Sequence, residues 1–250
     1  MNKLILIIGI VLLISCGRAE TIIDLKNTYE SETIIDEIES KIQSFSIVSA
    51  SQEDYLKALK KYKDKLTTDT TVIKKVNGAL EVPIAYYPSS VIFTDTLIGI
   101  EELDLYRREY RYLGQYKNLG QYKDEDLGVF LVEGIFYEHY ECYLIDGKSG
   151  RKTTIWNEPK LSPSSKYFAN LSMPYGYEGI PNGIQVWKID ISYKVDLNKY
   201  LEIDQQIWAP IDFVWETDNA LLLKVISVDK FWTSNGEIND EDYYYLRINL

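Results

Sequence analysis

The single histidine, His139, lies between Glu138 and Glu141, a trio whose side chains could hold a metal or move a proton. On a strand alternate residues face opposite sides, so His139 and Glu141 share a face while Glu138 points away. Two ligands do not make a zinc site, and a strand histidine satisfied by a neighbour is the expectation; no metal and no cofactor is expected. The chain has no Gly-Xaa-Ser-Xaa-Gly elbow, no phosphate-cradling glycine loop ending in Gly-Lys and no His-Glu-Xaa-Xaa-His helix. A glycosidase needs only two carboxylates across a cleft, which 38 acidic residues could assemble without a local signature. Glu178 is the acid nominated for that role.

The acidic run Glu237-Ile-Asn-Asp-Glu-Asp242 offers oxygen ligands suited to calcium. It lacks the alternating spacing and central glycine of an EF-hand loop, so a solvated hairpin end is expected. Tyrosine is the unusual residue: 21 in the chain, eight of them from Tyr106 to Tyr143. An amphipathic ring that costs little rotamer entropy to immobilise suits a binding face, although it also suits an antiparallel sheet. The segment Met173-Pro-Tyr-Gly-Tyr-Glu-Gly-Ile-Pro-Asn-Gly183 interrupts two strands with three glycines and two prolines, presenting Tyr175, Tyr177 and Glu178. With Trp187 on the following strand, these form the candidate ligand-binding set; the alternative is a loop packed across the sheet edge.

Two cysteines are present, Cys16 and Cys142. Lys3 opens an apolar run from Leu4 to Ile14, followed by small Ser15 and Cys16, the pattern of a secretory signal that is too short to span a bilayer of about 20 apolar residues. Leu13-Ile14-Ser15-Cys16 resembles the lipobox of bacterial lipoproteins. The resemblance implies cleavage of residues 1–15, lipidation of Cys16, and membrane attachment by several acyl chains, each buried CH₂ contributing roughly 0.8 kcal/mol. In that family an Asp after the cysteine retains the protein at the inner membrane; here the residue is Gly17, which implies the outer membrane. Cys142, left without a partner, is expected to be a buried thiol acting as a small hydrophobe. The net charge of -11 becomes -12 once residues 1–15, with Lys3 and no acid, are removed, a surface that repels nucleic acid.

These residues must be positioned by a mainly β chain of the α+β class. After a tether over 16–30, residues 31–66 read as two amphipathic helices: Ile34, Ile35, Ile38 and Ile42 recur at helical spacing, and Ser49 with Gln52 makes a capping-box pattern ahead of Tyr55, Leu56, Leu59, Tyr62 and Leu66. From Val72 short runs rich in Val, Ile, Tyr and Phe are cut by Asn77-Gly78, Pro83, Pro88 and Gly99. Residues 101–112 fit a helix or a twisted strand. The repeat Leu113-Gly-Gln-Tyr-Lys117 and Leu119-Gly-Gln-Tyr-Lys123 reads as a turn with matching flanks. The region 31–127 is thus helical and mixed, and 128–250 is an antiparallel meander with strands at 129–138, 140–145, 152–156, 166–172, 184–190, 211–215, 220–228 and 243–249.

Leu161-Ser162-Pro163-Ser164-Ser165-Lys166-Tyr167, followed by Ile184 to Asp190, resembles the Ser-Pro-Asp-Gly-Lys strand-turn-strand of β-propeller proteins of the TolB and WD40-like type, with Ser164-Ser165 in place of Asp-Gly. Trp208 to Leu223 and Tyr243 to Ile248 form a weaker echo. The resemblance implies blade-like sheets, and the β region has room for too few of them to close a ring. Two functions are expected from this reading: a membrane-anchored, non-enzymatic envelope lipoprotein binding a protein or glycan, or a glycan-directed hydrolase using paired carboxylates. Neither calls for nucleic acid.

Overall fold

The computed structural model describes residues 45–85, 90–97, 107–123, 125–136, 139–173, 179–234 and 237–250. The chain opens with β1 (Ser46–Ala50) and α1 (Gln52–Lys61), then short strands β2 (Leu66–Thr67), β3 (Lys74–Val76), β4 (Ala79–Pro83), β5 (Ser90–Thr94) and β6 (Thr96–Leu97). Long strands follow: β7 (Arg107–Tyr122), β8 (Glu125–Phe136) and β9 (His139–Asp146), then β10 (Lys152–Ile155), β11 (Lys160–Leu161), β12 (Tyr167–Ser172), β13 (Gly183–Ile191) and β14 (Val195–Asp204). The chain ends with β15 (Trp208–Thr217), β16 (Ala220–Ser227), α2 (Val228–Thr233) and β17 (Tyr244–Asn249). No described helix is long and apolar enough to cross a bilayer.

Among the described residues four antiparallel sheets result, closing into neither a barrel nor a propeller. Sheet I is β3-β4-β5, sheet II is β10-β9-β8-β7-β2 with β6 also on β7, sheet III is β11-β12-β13-β14, and sheet IV is β1-β17-β16-β15. They pack face to face in chain order, each neighbouring pair sharing a hydrophobic cluster. Leu80, Val82 and Phe93 of sheet I meet Val132 and Ile145 of sheet II; the other face of sheet II sends Tyr116, Leu131 and Leu144 against Phe168 and Ile189 of sheet III. Ala169 and Val186, on the opposite face of sheet III, meet Trp215 and Leu223 of sheet IV. Tyr55 and Ala58 of α1 cover Val214 and Leu222 on the outer face of sheet IV. Sheets II and III are therefore buried on both faces, which is why β8 carries Leu127, Val129 and Leu131 on one side and Phe130 and Val132 on the other.

The expected second helix is present in a shortened form. Its N-cap is Ser51, whose Oγ accepts from Asp54 N at 3.0 Å, not Ser49, and Leu66 belongs to β2. Residues 46–50, read as helical, form a strand instead: β-branched Ile47 and Val48 pair with β17, the last strand of the chain, in register Ile47↔Ile248 and Val48↔Arg247. The first expected helix, around Ile34 to Ile42, lies outside the described residues.

The Leu-Gly-Gln-Tyr-Lys repeat is not a turn. Both copies, apart from Lys123 in the turn to β8, lie in the single strand β7, and each marks a β-bulge, the register against β8 shifting between Tyr112 and Gly114 and again between Tyr116 and Gly120. In the first copy the glycine and tyrosine oppose residues of the sheet II–III core, Gly114↔Leu131 and Tyr116↔Val129; in the second Gly120 opposes core Leu127 while Tyr122 opposes exposed Glu125. Each glycine makes room for a neighbouring element. A Cβ on Gly114 would stand 2.8 Å from Leu66 Cγ and Thr67 O, and one on Gly120 would stand 2.6 Å from Ile191 Cγ2.

The strand-turn-strand of the propeller resemblance is formed by β11, Ser162–Ser165 and β12. Ser162 Oγ accepts from Lys166 N at 3.0 Å and Tyr167 N at 3.1 Å, and Ser165, standing where the motif has glycine, has φ of 63°. β14, absent from the expected strands, pairs β13 with a shift at Val186/Trp187 that leaves Tyr200 unopposed, so Val195 and Leu197 join the core with sheet II whereas Leu201 and Ile203 join the core with sheet IV.

Candidate functional site

The second bulge of β7 opens a cavity. Between the opposed pairs Tyr116↔Val129 and Gly120↔Leu127, β7 has three residues and β8 has one, Gly128. Asn118 takes up the surplus in the left-handed region at φ 56°, which Asn tolerates better than most residues. Gly128 lets the bulge close over it, since a Cβ there would lie 2.5 Å from Tyr116 O. The β9–β10 turn is tied to the same place, Gly147 N donating to Gly128 O and Ala85 N to Gly147 O, each at 2.9 Å. The space left is about 500 Å³, lined among others by Gln115, Lys117, Asn118, Asp126, Phe130 and Lys148. This is within the range of roughly 300–1,000 Å³ of small-molecule sites.

Gln115 is 8 % exposed, and its Nε2 has no hydrogen-bond partner. It stands directly opposite Phe130 on the sheet I side of sheet II. A buried amide donor without an acceptor costs about 1–3 kcal/mol, and this one is closed off from solvent.

Charges around the cavity are balanced. Lys148, whose side chain is buried, pairs with Glu125 and lies 4.5 Å from the Tyr122 ring centroid; Lys117 pairs with Asp69 at 3.7 Å. Asp126 accepts from Gln121 Nε2 at 3.1 Å, so the glutamine of the second repeat copy is paired where that of the first is not. The wall combines donors, acceptors and one aromatic ring, an arrangement suited to holding a polar molecule.

Of the residues nominated from sequence, Tyr175, Tyr177, Glu178 and Cys16 lie outside the described residues, as do Glu138 and the side chain of His139. Trp187 is half-buried against the core between sheets II and III; its Nε1 donates to Gln185 Oε1 at 3.3 Å, and Lys199 Nζ stands 5.6 Å from its ring centroid. It does not line the cavity at the bulge. Among the described residues no group of three His, Cys, Asp or Glu side chains could hold a metal ion. In the acidic run 237–242, Asp242 accepts from Asn239 N at 2.8 Å and pairs with Lys230 at 3.2 Å, capping a short 3₁₀ turn. Cys142 is buried without a disulfide, and burial, outweighing a hydrogen bond from Tyr140, pushes its thiol up to about 12.

Two further groups have no local sequence signature. Glu158 is held above the ordinary carboxylate range by burial and by the charges of Asp64 and Glu133, distant in the chain. Asp212 joins α1, sheet III and sheet IV, accepting from Tyr55 OH at 2.5 Å and from Lys160 Nζ at 2.6 Å. Burial acts to raise its carboxyl, but these hydrogen bonds and the Lys160 charge outweigh it and hold the group below the ordinary aspartate value. The sequence did carry one signal for the cavity: the repeated Leu-Gly-Gln-Tyr-Lys, whose bulges create it. Compared with family models, with curated proteins and with solved structures, the chain finds no match.

Proposed function

We propose that this protein is an envelope lipoprotein, cleaved before Cys16 and attached through it to a membrane, the outer membrane by the resemblance of its Gly17, and that its β domain is a non-enzymatic binding module for a glycan. The observation that supports binding is the cavity of about 500 Å³ that the second bulge of β7 opens, with Asn118, Asp126, Phe130 and Lys148 in its lining. A concave polar site of this size favours a glycan over a protein as the ligand, since protein partners meet broader faces. Both carboxylates at the wall are already engaged, Glu125 with Lys148 and Asp126 with Gln121, which favours holding a ligand over cleaving one.

The anchor and the binding module are tested separately. Labelling with a fatty-acid analogue followed by detergent partition should place the full chain in the detergent phase and a Cys16→Ser variant in the aqueous phase; equal partition of the two removes the anchor. Cosedimentation with insoluble envelope polysaccharide should retain the full chain and lose it on Asp126→Trp, an exposed substitution that fills the cavity rim. Retention unchanged by that variant removes the cavity as the site.

The hydrolase reading has one observation in its favour, the carboxyl of Glu158, raised by burial and by the charges of Asp64 and Glu133. Product release from glycan by the full chain, abolished by Glu158→Gln, would replace the binding module with an enzyme.

A further inference from the structure

Lys148 and Glu125 both line the cavity and pair with each other, but they are unequally placed: the lysine side chain is 6 % exposed and the glutamate side chain 61 %. A buried ammonium needs a counter-charge, and this one draws it from a carboxylate that stands largely in water. Glu125 lies directly opposite Tyr122 in the β7–β8 ladder, and that ring has the ammonium of Lys148 4.5 Å and that of Lys123 5.2 Å from its centroid. Two cations thus meet around one ring beside one exposed acid. The other charged groups of the lining are engaged elsewhere, Lys117 with Asp69 and Asp126 with Gln121.

The carboxylate of Glu125 can leave this position at little cost because it is already hydrated, whereas the ammonium of Lys148 cannot do without a partner. Resting on the reading of the cavity as a glycan site, we infer that it takes a uronic acid unit, whose carboxylate replaces that of Glu125 on Lys148 while Glu125 turns out into solvent. The place the ligand takes is the one that the exposed Glu125 carboxylate holds, so solvent already reaches it. A single negative charge suits the exchange, since the group replaced is itself a carboxylate; the surplus charge of a phosphate would meet Asp126, the next residue of β8. The sugar ring then has Asn118 and Phe130 of the same lining for its hydroxyls and its apolar face.

The test is calorimetric titration of the full-length protein in detergent micelles with two probes, trigalacturonic acid and its fully methyl-esterified form, which share a sugar backbone and differ in charge. The acid is expected to bind at least about tenfold more tightly. Glu125→Gln, an exposed change that keeps an acceptor for Lys148, removes the competing charge and should raise the affinity for the acid severalfold while leaving that for the ester unchanged. Lys148→Met should abolish the preference. A pair with a structural role alone would make the two variants act alike, whereas exchange makes them act in opposite directions. Equal affinity of acid and ester for the wild type, a preference that survives Lys148→Met, or an affinity for the acid that Glu125→Gln does not raise overturns the exchange and leaves the cavity reading standing. Binding of neither probe overturns the uronic acid, and the glycan reading falls with it only if envelope polysaccharide also fails to retain the chain.

Discussion

The backbone N–H of Ser164 donates to Asp218 Oδ1 at 2.8 Å. Ser164 lies in the β11–β12 turn and Asp218 in the β15–β16 turn, at matching places in two strand-turn-strand units 54 residues apart in sequence. The sheets containing these turns share the core of Ala169, Val186, Trp215 and Leu223, so their turns arrive at the same edge. Trp215 Nε1, donating to Lys160 O at 2.9 Å, joins the same two units beside the turns.

The turn next to that bond carries a residue in an unfavourable conformation. Ser165 has φ of 63°, where an L side chain costs about 1 kcal/mol relative to glycine. Its hydroxyl accepts from Lys65 Nζ at 3.0 Å, but Lys65 also reaches Pro163 O at 2.6 Å and keeps that bond if the hydroxyl goes. Ser165→Gly should therefore stabilise the protein by about 0.5–1 kcal/mol, read as a higher urea midpoint at unchanged slope.

The two repeat glycines should differ in their tolerance of alanine. At Gly114 the added Cβ meets Thr67 O, a backbone atom of the paired strand β2, whereas at Gly120 it meets Ile191, whose side chain is 39 % exposed and has room to move. Gly114→Ala should cost about 2–3 kcal/mol, within the range of overpacked sites, and Gly120→Ala less than half of that. Chemical denaturation of both variants checks the order, and Ile191→Ala added to Gly120→Ala should recover most of the smaller loss.

Asp212 sets an acid limb to stability. Its folded carboxyl titrates below the unfolded value of about 3.9, so the stability it contributes is complete above that value and is lost as pH falls through the folded one. Asp212→Asn should lower the melting temperature at pH 7, where Lys160 loses its counter-charge, and the gap from wild type should narrow as pH falls below about 4. Melting curves across that range read it directly; a gap independent of pH would mean that packing, not charge, dominates at this position.

Cys142 should be silent towards thiol reagents in the folded chain. It is fully buried and its thiol is pushed up to about 12, so almost no thiolate exists at pH 8. In a Cys16→Ser background, one thiol should appear to a chromogenic disulfide reagent only on addition of denaturant, and the rate of its appearance under native conditions should follow the opening of the core between sheets II and III.

By itself the sequence determined the class of the chain, because the responsible signals are local. Apolar alternation and turn residues such as Asn77-Gly78 and Asp146 to Gly150 act over a few positions, and they marked the antiparallel strands from β8 onward, apart from β11 and β14; the β11–β12 turn is equally short-ranged, and the sequence pattern places the cap of α1 two residues early, at Ser49 for Ser51. Tertiary structure decided the elements whose stabilisation is distant. Residues 46–50 are a strand because β17, some 200 residues later, offers its open hydrogen-bonding edge, and no periodicity within five residues encodes that offer. The Leu-Gly-Gln-Tyr-Lys copies are bulges in one strand because β2, β8 and Ile191 press on their glycines; two bulges break the two-residue period that would have shown the strand. The cavity belongs to the same category. Asn118, Gly128 and Gly147 sit on three different elements, and only the pairing of β7, β8 and β9 brings them to one place and leaves space between them.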